Sequence, residues 1–293
     1  MKSNPFAIIS FITLSTGIGC LNAQTMTGDL GTTGVSYGSP LAVQTINTGF
    51  GASSGGGDAN GSELDAAYGT ISGGNLYLFL AGDFQNNGNH LNIFLADGRS
   101  GQSSLNTSVS PLNAMNGSVF SSGFSATYAI DLNDFSGTVY GSTADLVNNN
   151  GGYQGSVGLT GGIGSGSLGN GIGIALNNTH VSTMGASGLA LSGATSGANT
   201  TTGMELDIPL SLLGNPSGSI EVLADINGGG NGYLSNQFLP GLGVGSGNVG
   251  TATFNDGSTP NQYFTVTPAP EPSTIALGAI GGLATLFHLR RRR

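Results

Sequence analysis

Hydrophobic positions fall in short runs separated by Gly, Ser, Asn and Asp, and within several runs the alternation has a period of two. Runs of this length, rich in β-branched and aromatic residues and bounded by turn formers, predict strands. The clearest are Leu64 to Ile71, Leu76 to Ala81, Leu91 to Ala96, Phe124 to Leu132, Gly171 to Leu176, Met204 to Ile208, Ile220 to Ile226 and Gln262 to Thr267. Leu76 to Leu80 is apolar on both alternations, which predicts a strand covered on both faces. Phe124 to Asp131 alternates better and predicts one wet face. Gln85 to Asn89, with its Asn and Gly between two strong strands, predicts a hairpin turn. One short helix is expected, at Leu210 to Leu213. These elements predict an all-β fold, an antiparallel β-sandwich of jelly-roll-like type, and no fixed-period repeat points to a propeller or β-helix.

Composition strengthens that picture. The 293 residues include 54 Gly, no Trp and one Cys, and only 7% are charged. The net charge of −9 is distributed unevenly: Lys2 lies at the start, Arg290 to Arg293 at the end, and Arg99 is the single Lys or Arg between them. A body so poor in cations excludes counterion-release binding to nucleic acid and attraction to an anionic membrane surface.

Both ends read as addresses. Residues 1–23 combine Lys2, an apolar stretch from Phe6 to Gly19 and small residues ending in Ala23, the layout of a secretory signal. Cys20 follows Gly17-Ile18-Gly19, a loose match to a lipid-accepting signal; otherwise it leaves with the segment, and the body then has no disulfide, thiol nucleophile or thiolate metal site. A body over residues 24–267 follows, then a tail over residues 268–293. The tail reads Pro270-Glu271-Pro272-Ser273-Thr274, an apolar stretch from Ile275 to Leu289 expected to form a short hydrophobic helix, and Arg290-Arg291-Arg292-Arg293. Its two prolines favour an extended segment, and about 15 apolar residues fall short of the roughly 20 that span a bilayer comfortably. The arginines should act as a membrane stop on the cytoplasmic side, with only transient inner-membrane insertion.

These residues resemble the PEP-CTERM sorting tail. That resemblance implies an exosortase-type processing enzyme as partner, with Pro270, Glu271 and Pro272 as its recognition element. It also implies delivery to the envelope, outer surface or extracellular matrix of a Gram-negative-type bacterium that makes exopolysaccharide. A looser resemblance, to family-9-like or DOMON carbohydrate-binding sandwiches, rests on Leu76 to Ala81, Leu91 to Asp97, Glu205 to Gly214 and Ile220 to Asn227. It implies a sugar site using Tyr or Phe in place of Trp.

Chemical motifs in the body are weak. Gly51-Ala52-Ser53-Ser54-Gly55 matches a nucleophile elbow without the strand and helix that motif needs, and Gly164 to Gly169 matches a dinucleotide fingerprint without its helix. Asp58, Asn60 and Ser62, and more loosely Asp225, Asn227 and Asn231, alternate as calcium ligands do, but lack the Glu that completes a helix-loop-helix site; ordinary turn capping is the competing reading. Glu205 and Asp207 share a strand face and read as solvated acids; a glycoside hydrolase would need two acids in one cleft. No catalytic residue is assigned. The expectation is an exported, non-enzymatic surface or matrix protein with no required cofactor, the alternative being a carbohydrate-binding module for exopolysaccharide.

Overall fold

The computed structural model describes residues 24–46, 48–50, 62–179, 197–243, 246–257 and 261–269. The leader, residues 270–293 of the expected sorting tail, Asp58 and Asn60 lie outside them.

The chain forms an antiparallel β-sandwich. One sheet contains β1 (Ala42–Val43), β2 (Glu63–Ser72), β3 (Asn75–Asp83), β8 (Ile163–Ser167), β9 (Gly173–Asn177) and β10 (Gly203–Pro209), in the spatial order β1-β2-β3-β10-β9-β8. The other contains β4 (His90–Ala96), β5 (Tyr128–Phe135), β6 (Thr138–Asp145), β7 (Asn150–Gly158), β11 (Ile220–Asn227) and β12 (Leu234–Leu239), in the order β12-β11-β4-β5-β6-β7. A short β13 (Phe264–Val266) also pairs with β11. The stretches that resemble carbohydrate-binding sandwiches contain β3 and β10, paired in the first sheet, and β4 and β11, paired in the second.

Local chemistry explains the connections. Ser72 and Asn75 are joined by Gly73 and Gly74, both at positive φ, the conformation a two-residue hairpin turn requires. The segment Gln85 to Asn89 is not a hairpin turn, because β3 and β4 belong to different sheets and the chain crosses the sandwich there. The predicted helix appears as a short 3-10 turn, Leu210–Leu213, closed by Gly214 at positive φ.

The main core lies between the sheets. Alternate residues point inward: Leu76, Leu78 and Leu80 of β3 and Leu206 and Ile208 of β10 meet Leu91, Ile93 and Leu95 of β4, Ile130 and Leu132 of β5, and Val222 and Ile226 of β11. A second core covers half of the outer face of the β4–β5 sheet. There Phe94 packs edge-on to Phe120 and Phe254, beneath Leu105, Leu112 and Met115 from the excursion between β4 and β5. This is why the Phe124 to Asp131 run has no wet apolar-alternating face: its strand starts at Tyr128, and Phe124, Ala126 and Ala129 are buried in the second core. A third, small cluster joins Tyr68 and Phe79 to Tyr37 on the outside of the β2–β3 sheet, so β3 is covered on both faces as its composition predicts.

Candidate functional site

The other half of the outer face of the β4–β5 sheet is polar. Strand register sets Asn227, His90, Asn133, Tyr140 and Ser156 side by side across β11, β4, β5, β6 and β7. A second row, two residues away on β11, β4, β5 and β6 and three on β7, where the strand bulges, reads Asp225, Asn92, Asp131, Ser142 and Tyr153. Intervening residues such as Ile226, Leu91 and Leu132 enter the main core, so strand alternation places these ten side chains on one surface.

The two ends of this surface differ. At the β11 end it lies beneath the loop between β11 and β12, where Asn231 takes a positive φ and directs its amide downward. Its Nδ2 donates to Asp131 Oδ2 at 2.9 Å, and its Oδ1 accepts from Asn92 Nδ2 at 2.9 Å; the same Asn92 nitrogen donates to Asp225 Oδ1 at 2.9 Å. His90 Nδ1 lies 2.8 Å from Asp131 Oδ2, and the Gly230 N–H donates to His90 Nε2 at 3.1 Å. A backbone amide can only donate, so Nε2 is the acceptor and the ring proton sits on Nδ1, directed at Asp131. Burial pushes the Asp225 carboxyl up to about 8, with the Asn92 hydrogen bond opposing the shift and the charges of Asp256 and Asp131 adding to it.

At the β7 end the surface opens. Tyr140 is 39% exposed and Tyr153 is 62% exposed, with Ser156 exposed beside them. The result is a surface with a fixed hydrogen-bonding network at one side and two accessible tyrosines at the other. Flat exposed rings with an adjacent amide and hydroxyl can stack on and hydrogen-bond to a polyol ring.

A second site lies at the strand ends, between the sheets. Asp83, at the end of β3, and Asp134, near the end of β5, line a cleft of about 350 Å3 with Gln85, Asn86, Asn87, Gly137, Leu159, Gly162 and Asn178. The surrounding amides are fixed: Gly137 N donates to Asn86 Oδ1 at 2.9 Å, Asn87 Nδ2 donates to Gln85 Oε1 at 2.8 Å, and Phe84 N donates to Asn178 Oδ1 at 3.0 Å. Among the described residues no basic side chain forms an ion pair with either acid. Asp134 is 1% exposed, and neither carboxylate oxygen has a hydrogen-bond partner. Burial lifts its carboxyl to about 6. Burial lifts Asp83 to about 7, opposed by the Phe84 backbone and reinforced by the charges of Asp134 and Asp65. Arg99, the single Lys or Arg among the described residues, is paired with Asp97 at 2.6 Å.

The residues singled out from sequence fall in different places. Asp225 and Asn227 are neighbours on the polar face, but both are fully buried; Asn227 Oδ1 accepts from Tyr233 N at 2.8 Å and caps the loop. Ser62 Oγ accepts from Asn89 Nδ2 at 2.9 Å. Among the described residues no group of three or more His, Cys, Asp or Glu side chains is arranged to hold a metal ion. Glu205 is not a solvated acid: it is completely buried on the outer face of β10. Its Oε2 accepts from Thr27 N at 2.8 Å and Gly28 N at 3.0 Å, and its Oε1 accepts from Thr33 Oγ1 at 2.5 Å and Tyr37 Oη at 3.2 Å. Asp207, on the same face, is only half-buried.

Asp83, Asp131 and Asp134 were not singled out from the sequence, whereas Asn231 belongs to the looser calcium-like alternation with Asp225 and Asn227. For Asp134 a signal existed: Tyr128, Ile130, Leu132 and Asp134 continue one inward alternation, so a carboxylate stands where an apolar residue is expected. Comparison with known protein families, curated proteins and solved structures gave no match.

Proposed function

We propose that the chain is an exported, non-enzymatic surface or matrix protein whose sandwich engages extracellular polysaccharide. The sorting half of this reading rests on the tail Pro270-Glu271-Pro272, the apolar stretch and Arg290 to Arg293, together with the leader that opens the chain. In this reading the tail holds the chain briefly in the inner membrane and an exosortase-type enzyme acts near the Pro-Glu-Pro element. Among the described residues no helix is long and apolar enough to cross a membrane.

The polysaccharide reading is carried by one observation: Tyr140 and Tyr153 lie exposed on the same strand face as Asn133, Asp131 and Ser142. Rings are held by the pleat, so little side-chain freedom is lost on stacking, and the half-buried Asn133 amide and the exposed Ser156 hydroxyl beside them suit hydroxyl-rich ligands. A glycosidase reading is less well supported. The cleft does hold two acids, but burial shifts Asp83 and Asp134 in the same direction, whereas an acid and base pair needs environments that separate their roles.

Two measurements test the proposal. Mass spectrometry of protein recovered from the cell surface should find both ends removed, and an intact chain ending in Arg293 contradicts the processing. Electrophoresis through gels containing the producing cell's exopolysaccharide should retard the protein, with retardation reduced by the double substitution Tyr140→Ala and Tyr153→Ala. Equal mobility in gels with and without polysaccharide contradicts the binding.

A further inference from the structure

We propose that the cleft at the strand ends is a calcium site, with Asp83 and Asp134 supplying the charge and the amide oxygens of the surrounding loops helping to complete an all-oxygen shell. The site does not depend on the polysaccharide reading and lies apart from the exposed tyrosines.

Charge balance is the first argument. Two acids line one cleft, both nearly inaccessible, and the body's single Arg is held elsewhere by Asp97. Burying a carboxylate without a partner costs several kcal/mol, and a like charge nearby adds to the cost. No described side chain can neutralise the pair, whereas one divalent cation can.

The orphaned atoms are the second argument. Both oxygens of Asp134 are buried without a hydrogen-bond partner, although buried polar groups are nearly always satisfied. The side chain lies on the inward face of β5, in the wall of the cleft. A carboxylate with two free oxygens in a protein wall is suited to a bidentate metal contact.

The donor set selects the metal. The polar groups lining the cleft are carboxylates and amides, with no sulfur or imidazole, which suits a hard cation. Asn86, Asn87 and Asn178 each have their amide oxygen oriented by one hydrogen bond, and an oxygen retains a second lone pair. Asn86 and Asn87 come from the crossover between β3 and β4 and Asn178 from the chain just after β9, an irregular arrangement that fits calcium's six to eight flexible ligands better than the strict octahedron of magnesium. The cleft has room for an ion and several waters. Calcium there would tie β3 and the end of β9 in one sheet to β5 in the other, closing the mouth of the sandwich.

The test uses the full-length chain, purified in detergent, freed of metal with EDTA and followed by thermal unfolding at neutral pH. Calcium chloride at about 10 mM should raise the midpoint by about 5 °C, with half-saturation at roughly 0.1–1 mM, the range of extracellular calcium modules. Asp134→Asn and Asp83→Asn should abolish the rise, whereas Asp225→Asn, a buried acid on the polar face, should keep it. In EDTA, Asp134→Asn should unfold no earlier than the wild type, which separates lost binding from lost folding. A wild type unaffected by calcium, an undiminished rise in Asp134→Asn, or an equal rise with magnesium overturns the assignment.

Discussion

Glu205 lies on the outer face of one sheet and Asp134 on the inner face of the other; both are buried carboxylates in a body with a single cation. The fold surrounds Glu205 with two backbone N–H groups and two hydroxyls, and uses it to fasten residues 27–37 across β10. It gives Asp134 no donor. The contrast separates two uses of a buried acid. One stabilises the fold by collecting donors; the other lowers the stability of the free protein and keeps its oxygens available for a ligand.

The largest effect that could break this contrast is expected at Glu205. Glu205→Ala leaves the donors of Thr27, Gly28, Thr33 and Tyr37 without their acceptor and should cost about 3–5 kcal/mol in urea unfolding. A loss below about 1 kcal/mol would remove Glu205 from the role given to it. Next comes pH. Unfolded carboxylates titrate near 4, while Asp134 and Asp256 titrate at about 6, Asp83 at about 7 and Asp225 at about 8 in the fold. Between those values the folded chain binds more protons than the unfolded chain, so in calcium-free buffer stability should fall as pH rises from about 5 to about 8. Calorimetry should show a drop in melting temperature of about 5 °C or more, and a rise over that window contradicts the assignment of these acids.

Smaller effects sharpen the comparison within the polar face. Asn231→Ala removes the amide shared by Asp131 and Asn92 and should cost about 1–3 kcal/mol. Tyr153→Ala removes an exposed ring and should change stability by less than about 0.5 kcal/mol. It should nevertheless weaken retardation in polysaccharide gels by about threefold to tenfold, because stacking is lost. If Tyr153→Ala costs stability and leaves retardation intact, the exposed end of the face is structural.

Much of the sandwich was legible from alternation and turn formers. β2, β3, β4, β9, β10 and β11 fall within a few residues of the predicted runs, because each has a continuous apolar face to bury. β1, β6, β7, β8 and β12 were not predicted. β7 reads Asn150-Gly151-Gly152-Tyr153-Gln154-Gly155-Ser156-Val157-Gly158, with Gly151, Gly152 and Gly155 at positive φ, and a sequence with so little apolar alternation reads as turns. Neighbouring strands supply the order that composition does not: all of β7 pairs with β6, around a bulge at Gln154. The polar face was invisible for a related reason. Its ten residues come from five strands and are ordinary one by one; register brings them together. Gln85 to Asn89 misled because a turn-rich segment between two strands fits a crossover as well as a hairpin, and only sheet membership decides.

The central claim is that an orphaned buried acid is retained for a ligand while a fully satisfied one is retained for the fold. The most direct measurement is thermal unfolding of Glu205→Gln and Asp134→Asn side by side in calcium-free buffer at neutral pH, since each swap removes charge with little change of volume. The account predicts opposite signs: a lower midpoint for Glu205→Gln and a higher midpoint for Asp134→Asn than for the wild type. Lower midpoints for both variants would contradict it.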